Sequence, residues 1–153
     1  MSGESEFAGR LLALDVGERR IGIAISDETQ TLARSLTVLH RRSKVQDFEA
    51  LTRLIREHRV RAVVVGLPLS QDGSEGLQAR RIRRYADAMA ETLAAQGLET
   101  PMVFFDETLS TATAAEWMIA SGRKRRDRRQ DIDAVAAAVI LQGYLDRQTE
   151  DST

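Results

Sequence analysis

The stretch that most constrains this chain is residues 11–27, where two apolar segments flank a short polar turn. Residues 11–16 and 21–26 are rich in aliphatic and β-branched side chains, and residues 17–20 (GERR) separate them. This pattern predicts a β-hairpin. Asp15 therefore lies inside a buried strand, where an ionised carboxylate costs several kcal/mol unless it is paired, hydrogen-bonded or bound to a metal. Asp15 needs a partner that its own strand does not contain.

Two glycines, Gly17 and Gly22, lie on either side of the turn of this hairpin. Because neither has a β-carbon, backbone or a ligand can approach the hairpin closely at both positions. The alternative is that Asp15 is the polar start of an ordinary turn. This stretch alone leaves both interpretations open.

The side chains available restrict the chemistry open to this chain. Among its 153 residues there is no cysteine and there are two histidines. Disulfides, thiol catalysis and thiolate zinc sites are therefore excluded, and a Ser-His-Asp triad or a histidine-rich metal site is disfavoured. Carboxylates are left as the candidate catalytic groups. The net charge of -1 gives no overall signature of nucleic-acid binding, so that function would depend on where the charges lie.

The length of the chain suits a single folded domain. We expect that domain over residues 10–146, with disordered polar ends at residues 1–9 and 147–153. No apolar run approaches the roughly 20 residues of a membrane span, and the N-terminus lacks the basic and then apolar pattern of a signal peptide. We therefore expect a cytoplasmic protein with no membrane partner.

The rest of the pattern predicts an α/β protein. Strands are predicted at residues 11–16, 21–26, 33–39, 61–66 and 101–105. The first three have short connections and form an antiparallel meander, whereas the last two are continuous apolar runs that suit strands buried on both faces. Helices are predicted at residues 45–58, 75–96, 111–121 and 131–145. Ser43 is the expected N-cap of the first helix, and Gly97 ends the second.

Two further acidic residues fall where a site is expected. Glu107 directly follows a predicted strand, and the crevice beyond the C-terminal ends of parallel strands is the usual place for a site. Asp133 lies in the first turn of the last predicted helix, where the small residues after it let the helix approach the sheet. Each position also has a purely structural interpretation. After the strand, Asp106 and Ser110 would merely cap the next helix, and Asp133 would compensate the dipole of its own helix.

Positive charge is concentrated in two segments. Residues 122–130 (GRKRRDRRQ) contain six basic residues and no apolar one, so we expect a mobile loop that contacts phosphates. The helix at residues 75–96 carries Arg80, Arg81, Arg83 and Arg84 in its first half. That cluster is either a solvated face or a contact to a polyanion.

Four motifs, in order and at matching spacing, carry a family resemblance. They are Ala13-Leu14-Asp15-Val16-Gly17 with Arg20-Ile21-Gly22-Ile23-Ala24, Val65-Gly66-Leu67-Pro68-Leu69 with Asp72-Gly73, Asp106-Glu107 with Leu109-Ser110-Thr111, and Asp133 with Ala136-Ala137, Ile140-Leu141-Gln142 and Tyr144-Leu145. Over residues 11–145 the chain resembles the YqgF/RuvX family, described both as Holliday junction resolvases and as pre-16S rRNA nucleases. The order of elements also looks like the ribonuclease H-like fold. That fold implies a mixed five-stranded sheet, three antiparallel strands and then parallel strands, flanked by helices.

The resemblance implies a metal-dependent nuclease, a hydrolase of ester bonds, with Asp15, Glu107 and Asp133 as catalytic acids. Three carboxylates without His or Cys favour Mg²⁺ or Mn²⁺ over Zn²⁺. Two such ions about 4 Å apart, with Asp15 bridging them, would activate a water and stabilise the leaving oxygen of a phosphodiester. We expect basic side chains to hold the nucleic acid: Arg20, Arg80, Arg81, Arg84, Arg123, Lys124, Arg125 and Arg126.

Two nuclease roles are implied, trimming of the 16S rRNA precursor and resolution of Holliday junctions. A resolvase needs a stable two-fold dimer, and the sequence shows no spare apolar stripe for one. We therefore expect a monomer or weak homodimer that acts on RNA. An ATP-binding module of the actin type is an alternative, but it needs two lobes and this chain has room for one. A non-catalytic RNA-binding domain also remains open.

Overall fold

The architecture is a five-stranded mixed sheet with helices on both faces. The computed structural model describes residues 8–109 and 125–151. Its strands are β1 (Leu11–Val16), β2 (Arg20–Ser26), β3 (Ala33–His40), β4 (Ala62–Leu67) and β5 (Met102–Asp106). Its α-helices, among these residues, are α1 (Lys44–His58), α2 (Leu77–Ala95) and α3 (Arg125–Asp151). The predicted fold class and the strand positions are confirmed to within two residues.

The strands lie in the order β3-β2-β1-β4-β5. β2 pairs antiparallel with both β1 and β3, which is the predicted meander, and β1, β4 and β5 run parallel. Because parallel strands end at the same edge, the C-terminal ends of β1, β4 and β5 meet there. That edge is where Asp15 and Glu107 lie.

Successive side chains of β1 point to opposite faces of the sheet, so the strand contributes to the core on both faces. Leu12, Leu14 and Val16 face α1 and α2, in a cluster of large aliphatic side chains. Leu11 and Ala13 face α3, in a cluster with many alanines. Asp15 is on the same face of β1 as Leu11 and Ala13. The small side chains on that face let α3 cross β1, β2 and β3 at close range.

Local signals explain the bounds of α1. The Ser43 hydroxyl accepts a hydrogen bond from the Gln46 N–H, so the predicted N-cap is confirmed. The helix ends where Arg59 takes the left-handed conformation, with φ 53°. Both ends therefore follow from capping rather than from packing.

α3 is longer than predicted at both ends. The mobile loop predicted over residues 122–130 is wrong from Arg125 onward, because the helix already begins there. Arginine and glutamine are good helix formers, and extending an existing packed helix avoids the cost of nucleation. The polar residues up to Asp151 are also helical. The predicted helix at residues 111–121 lies outside the described residues.

A helix that spans a bilayer needs about 20 consecutive, mostly apolar residues, and the described helices of this fold are more polar than that. None among the described residues is long and apolar enough to cross a membrane.

Candidate active site

Asp15 lies at the C-terminal end of β1, half-buried and on the face covered by α3. Its partner in the antiparallel register is Gly22 of β2. On its other side, β1 and β4 pair up to Leu14 and Val65, so Gly66 is next in β4. Asp15 is therefore flanked by glycines on both neighbouring strands, which leaves space beside its carboxylate.

Gly22 fixes how closely α3 approaches. A β-carbon at this position would lie far inside the van der Waals radius of the Asp133 carbonyl oxygen. The backbone of α3 thus rests directly on β2, beside Asp15. The predicted close approach of backbone to Gly22 is confirmed. It brings Asp133 of α3 next to the strand that pairs with Asp15.

Gly66 leaves space for the Glu107 carboxylate, as Gly22 does for the backbone of α3. A β-carbon there would lie 3.2 Å from the Glu107 Oε2 and 2.7 Å from the Ile140 Cδ1. Glu107 begins a short 3-10 helix, Glu107–Leu109, directly after β5. Its carboxylate therefore reaches back over the end of β4, towards Asp15.

The cap of this 3-10 turn is Asp106 and not Glu107. Asp106 Oδ1 accepts hydrogen bonds from the Thr108 N–H at 3.0 Å and from the Thr108 hydroxyl at 2.7 Å. The predicted alternative, in which Asp106 and Ser110 cap the helix at residues 111–121, lies outside the described residues. These hydrogen bonds of Asp106 do not account for Glu107.

The electrostatics of the site shows that the acids influence one another. The pKa of Asp15 is raised above its ordinary value, first by burial and then by the negative charge of Asp133. The pKa of Glu107 is also raised, by burial and then by the charges of Asp15 and Asp106. Like charges held together in this way are typical of functional sites, because they oppose folding and have no structural benefit.

Asp133 does not compensate the helix dipole, and that alternative is wrong. α3 begins at Arg125, so Asp133 lies well inside the helix, beyond the reach of the terminal dipole. Asp133 Oδ2 lies 3.1 Å from the Arg20 Nε, in an ion pair. The geometry of that contact makes no hydrogen bond, so Oδ2 is a buried oxygen without a hydrogen-bond partner among the described residues.

The donor atoms at this site suit a hard divalent cation. All are carboxylate oxygens, and the buried Oδ2 of Asp133 offers a lone pair that no hydrogen bond from the described part of the chain uses. Among residues 8–109 and 125–151, however, no three His, Cys, Asp or Glu side chains form a ready-made metal cluster. Mg²⁺ commonly takes one or two protein carboxylates and completes its shell with water and substrate phosphate, so the residues present fit such an ion.

The predicted nucleic-acid contacts are spread over the molecule. Arg20 faces Asp133, as described. Arg81 and Arg84 line a cavity beside the hairpin turn, and Arg80 is exposed outside it. Arg123 and Lys124 lie outside the described residues, and Arg125 and Arg126 are in the first turn of α3.

Sequence reasoning missed two features of the site. One is the ion pair between Arg20 and Asp133, which has no signal in the order of residues. The other is the role of Gly66, although a signal exists: it stands near the end of an otherwise β-branched buried strand, where a glycine weakens the strand unless close approach is needed.

A family model described as RuvX, Holliday junction resolvase, matches residues 9–147. The chain belongs to the RuvX family. The resemblance seen in the sequence motifs is thereby confirmed.

Relatives of this RuvX chain share much of its sequence. A protein of Anaeromyxobacter dehalogenans named "Putative pre-16S rRNA nuclease" is 42% identical over 139 residues, 91% of this chain and 98% of that protein. A protein of the same name from Moorella thermoacetica is 45% identical over 138 residues, 90% of this chain and 95% of the relative.

Solved structures resemble the fold of the RuvX chain. RuvC of T. thermophilus, solved in complex with a Holliday junction substrate, has a TM-score of 0.60 at 14% identity, covering 92% of this chain and 97% of RuvC. The yeast mitochondrial Holliday junction resolvase has a TM-score of 0.57 at 11% identity, covering 95% of this chain and 80% of the resolvase. At such identities the likeness establishes the ribonuclease H-like fold and no more.

Proposed function

We propose that this RuvX chain is a divalent-metal-dependent nuclease, with Asp15, Glu107 and Asp133 as its catalytic acids. The observation that carries the proposal is electrostatic. Burial and neighbouring negative charge raise the pKa of both Asp15 and Glu107, and Asp133 supplies part of the charge that acts on Asp15. A fold does not keep such repulsion for stability, so we attribute it to function.

Each acid is held by a different element. Asp15 lies on β1, Glu107 lies next to Gly66, and Asp133 is positioned by the contact of α3 with Gly22. Bound Mg²⁺ or Mn²⁺ would supply water activation and stabilisation of the leaving oxygen. The carboxylates must be ionised to hold it, so cation binding and proton loss are linked.

Arg20 keeps a positive charge beside Asp133. In the absence of another cation, this charge offsets part of the repulsion between Asp133 and Asp15. Arg20 would also supply a guanidinium for a phosphate oxygen of the substrate, a geometry that arginine binds well.

The substrate that we propose is the precursor of 16S rRNA. Support comes from the names of the relatives that are 42% and 45% identical over most of the chain. Resolution of Holliday junctions is the second candidate, supported by the description of the matching family model.

A cleavage assay tests the proposal. Labelled 16S rRNA precursor fragments and a synthetic four-way DNA junction are incubated with the protein and Mg²⁺ or Mn²⁺, with and without chelator. We expect metal-dependent cleavage of the RNA that Asp15→Asn or Glu107→Gln abolishes. The matched control is Asp87→Asn, which removes an exposed carboxylate on α2 and keeps activity.

Thermal unfolding of each variant accompanies the assay, because loss of activity is informative where the fold persists. Full activity in either site variant would contradict the assignment of these acids. Cleavage of the junction without cleavage of the RNA would favour the second candidate.

A further inference from the structure

A second candidate binding surface lies on the face of the sheet opposite Asp15. A cavity of about 610 Å³ opens where the β1-β2 turn meets the start of α1 and the first half of α2. Its size is within the range of sites for small organic ligands and single nucleotides. Val16 and Gly17 form one wall, and they directly follow Asp15 in the chain.

The walls of this cavity are strongly basic. Lys44 comes from α1, and Arg81 and Arg84 come from α2 at a spacing that places both on one side of the helix. All three side chains are exposed, and within the described residues none forms an ion pair with an acid. Glu18 is the single acidic residue among those that line the cavity. The charge therefore suits an anionic ligand.

The floor of the cavity is fixed. The Arg41 guanidinium carbon lies 4.4 Å from the centre of the Tyr85 ring, and its Nη1 donates a hydrogen bond of 2.7 Å to the Gly17 carbonyl. The Tyr85 hydroxyl donates to buried Asp47 at 3.2 Å. Arg41 is thus used to hold the turn against α2, and the cations left for a ligand are Lys44, Arg81 and Arg84.

Apolar surface adjoins these cations. Leu77, in the first turn of α2, lines the cavity and is 62% exposed. Beside the three cations, Leu77 offers an apolar contact for a sugar or an unstacked base. Single-stranded nucleic acid combines a charged backbone with such apolar faces, whereas a free phosphate would use the cations alone.

We propose that this cavity binds the backbone of a single-stranded nucleic acid, as a second contact for the strand that is cleaved at Asp15. The inference rests on the proposed function, since it assumes a nucleic-acid substrate. The strand passes over the C-terminal end of β1, from the face of α3 to the face of α1 and α2. The hydrogen bond from Arg41 to the Gly17 carbonyl anchors the turn that lies between the two contacts.

Lysine footprinting tests the proposal directly. The chain has two lysines, Lys44 in the cavity and Lys124 in the basic segment. The protein is acetylated in chelator with and without a saturating 12-nucleotide oligouridylate, and each site is quantified by mass spectrometry. We expect the oligonucleotide to slow acetylation of Lys44 several-fold at low salt, and high salt to remove the protection.

A pair of double variants supplies the matched comparison. Lys44→Ala with Arg84→Ala removes two charges from the cavity, and Arg34→Ala with Arg53→Ala removes two exposed charges elsewhere. Binding of the oligonucleotide is measured by fluorescence anisotropy in chelator over a range of salt. We expect the cavity variant to flatten the slope of log K against log salt by about 1.4, since each contact to a single strand contributes about 0.7. The control variant keeps the slope.

These readouts separate the two proposals. Equal acetylation of Lys44 with and without oligonucleotide, equal slopes in the two double variants, or no binding by the unmodified chain would each overturn the cavity site. Loss of binding in the cavity variant supports it even if the unmodified chain cleaves nothing, an outcome that would overturn the proposed nuclease alone.

Discussion

At the scale of single residues, the molecule holds acids where they oppose its own folding. Asp15 and Glu107 have raised pKa values because burial disfavours their charged forms and because each lies near another negative charge. Arg20 offsets part of this at Asp133. A raised pKa in the folded state means that the folded chain binds its protons more tightly than the unfolded chain does.

A pH dependence of stability follows. The free energy of unfolding of the metal-free protein should fall as pH rises from the ordinary pKa values, 3.8 for Asp15 and 4.5 for Glu107, through their raised values. Asp15→Asn removes one of these ionisations and relieves Glu107, so it should flatten that fall and stabilise the protein at pH 7. Urea unfolding in chelator at a series of pH values measures this. An Asp15→Asn protein less stable than the parent at pH 7 would show that the carboxylate has a structural role.

At the scale of secondary-structure elements, the contact of α3 with the sheet decides the geometry of the site. Small residues line both sides of this contact, among them Ala13 and Ala24 in the sheet and Ala137 and Ala138 in the helix. Gly22 is the point of closest approach, because the α3 backbone occupies the space of its missing side chain. The position of Asp133 therefore depends on the absence of a single methyl group.

Gly22→Ala should accordingly displace α3. We expect a loss of at least about 3 kcal/mol in the free energy of unfolding, since the new β-carbon meets a backbone carbonyl that cannot rotate away. Gly76→Ala is the control: its φ is -80° and nothing lies within 4 Å of an added β-carbon, so we expect a loss of no more than about 1 kcal/mol, from the poorer N-cap of α2. Urea unfolding of the two variants makes the comparison. Equal stabilities would mean that α3 does not rest on β2 as described.

At the scale of the whole molecule, the two faces of the sheet differ in the side chains that they carry. Large aliphatic side chains pack against α1 and α2 and supply most of the core, whereas the face under α3 contains smaller residues and carries Asp15. Exposed large apolar side chains among the described residues belong to separate segments of the chain: Leu32, Val45, Leu77, Leu109 and Ile132. Each is a single exposed residue in its own segment, and singly exposed apolar side chains are ordinary on a protein surface.

We therefore expect a monomer or a weak dimer. Sedimentation at micromolar concentration should give the mass of one chain, 17.0 kDa. Cleavage of a four-way junction, if it occurs, should then be unpaired, because paired cuts need two active sites in a fixed relation. A stable dimer that makes symmetric cuts in the junction would reverse this expectation and the preference for RNA.

The sequence by itself determined the elements and the identity of the candidate acids. The hairpin, the Ser43 cap and the buried strands are encoded locally, in periodicity and capping residues, and local signals do not depend on the rest of the fold. Asp15 stood out because a charge in an apolar strand needs a partner. Glu107 stood out because it follows a parallel strand.

Tertiary structure alone decided which groups meet. Asp133 was predicted in the first turn of its helix, but α3 begins at Arg125, and the sequence from there to Asp131 contains no apolar residue that could show helical periodicity. Similarly, Lys44 and Arg84 are far apart in sequence, and the packing of α1 and α2 on one face brings them to one cavity. Periodicity shows which face of an element is buried, whereas the distance between two elements depends on the size of every side chain between them.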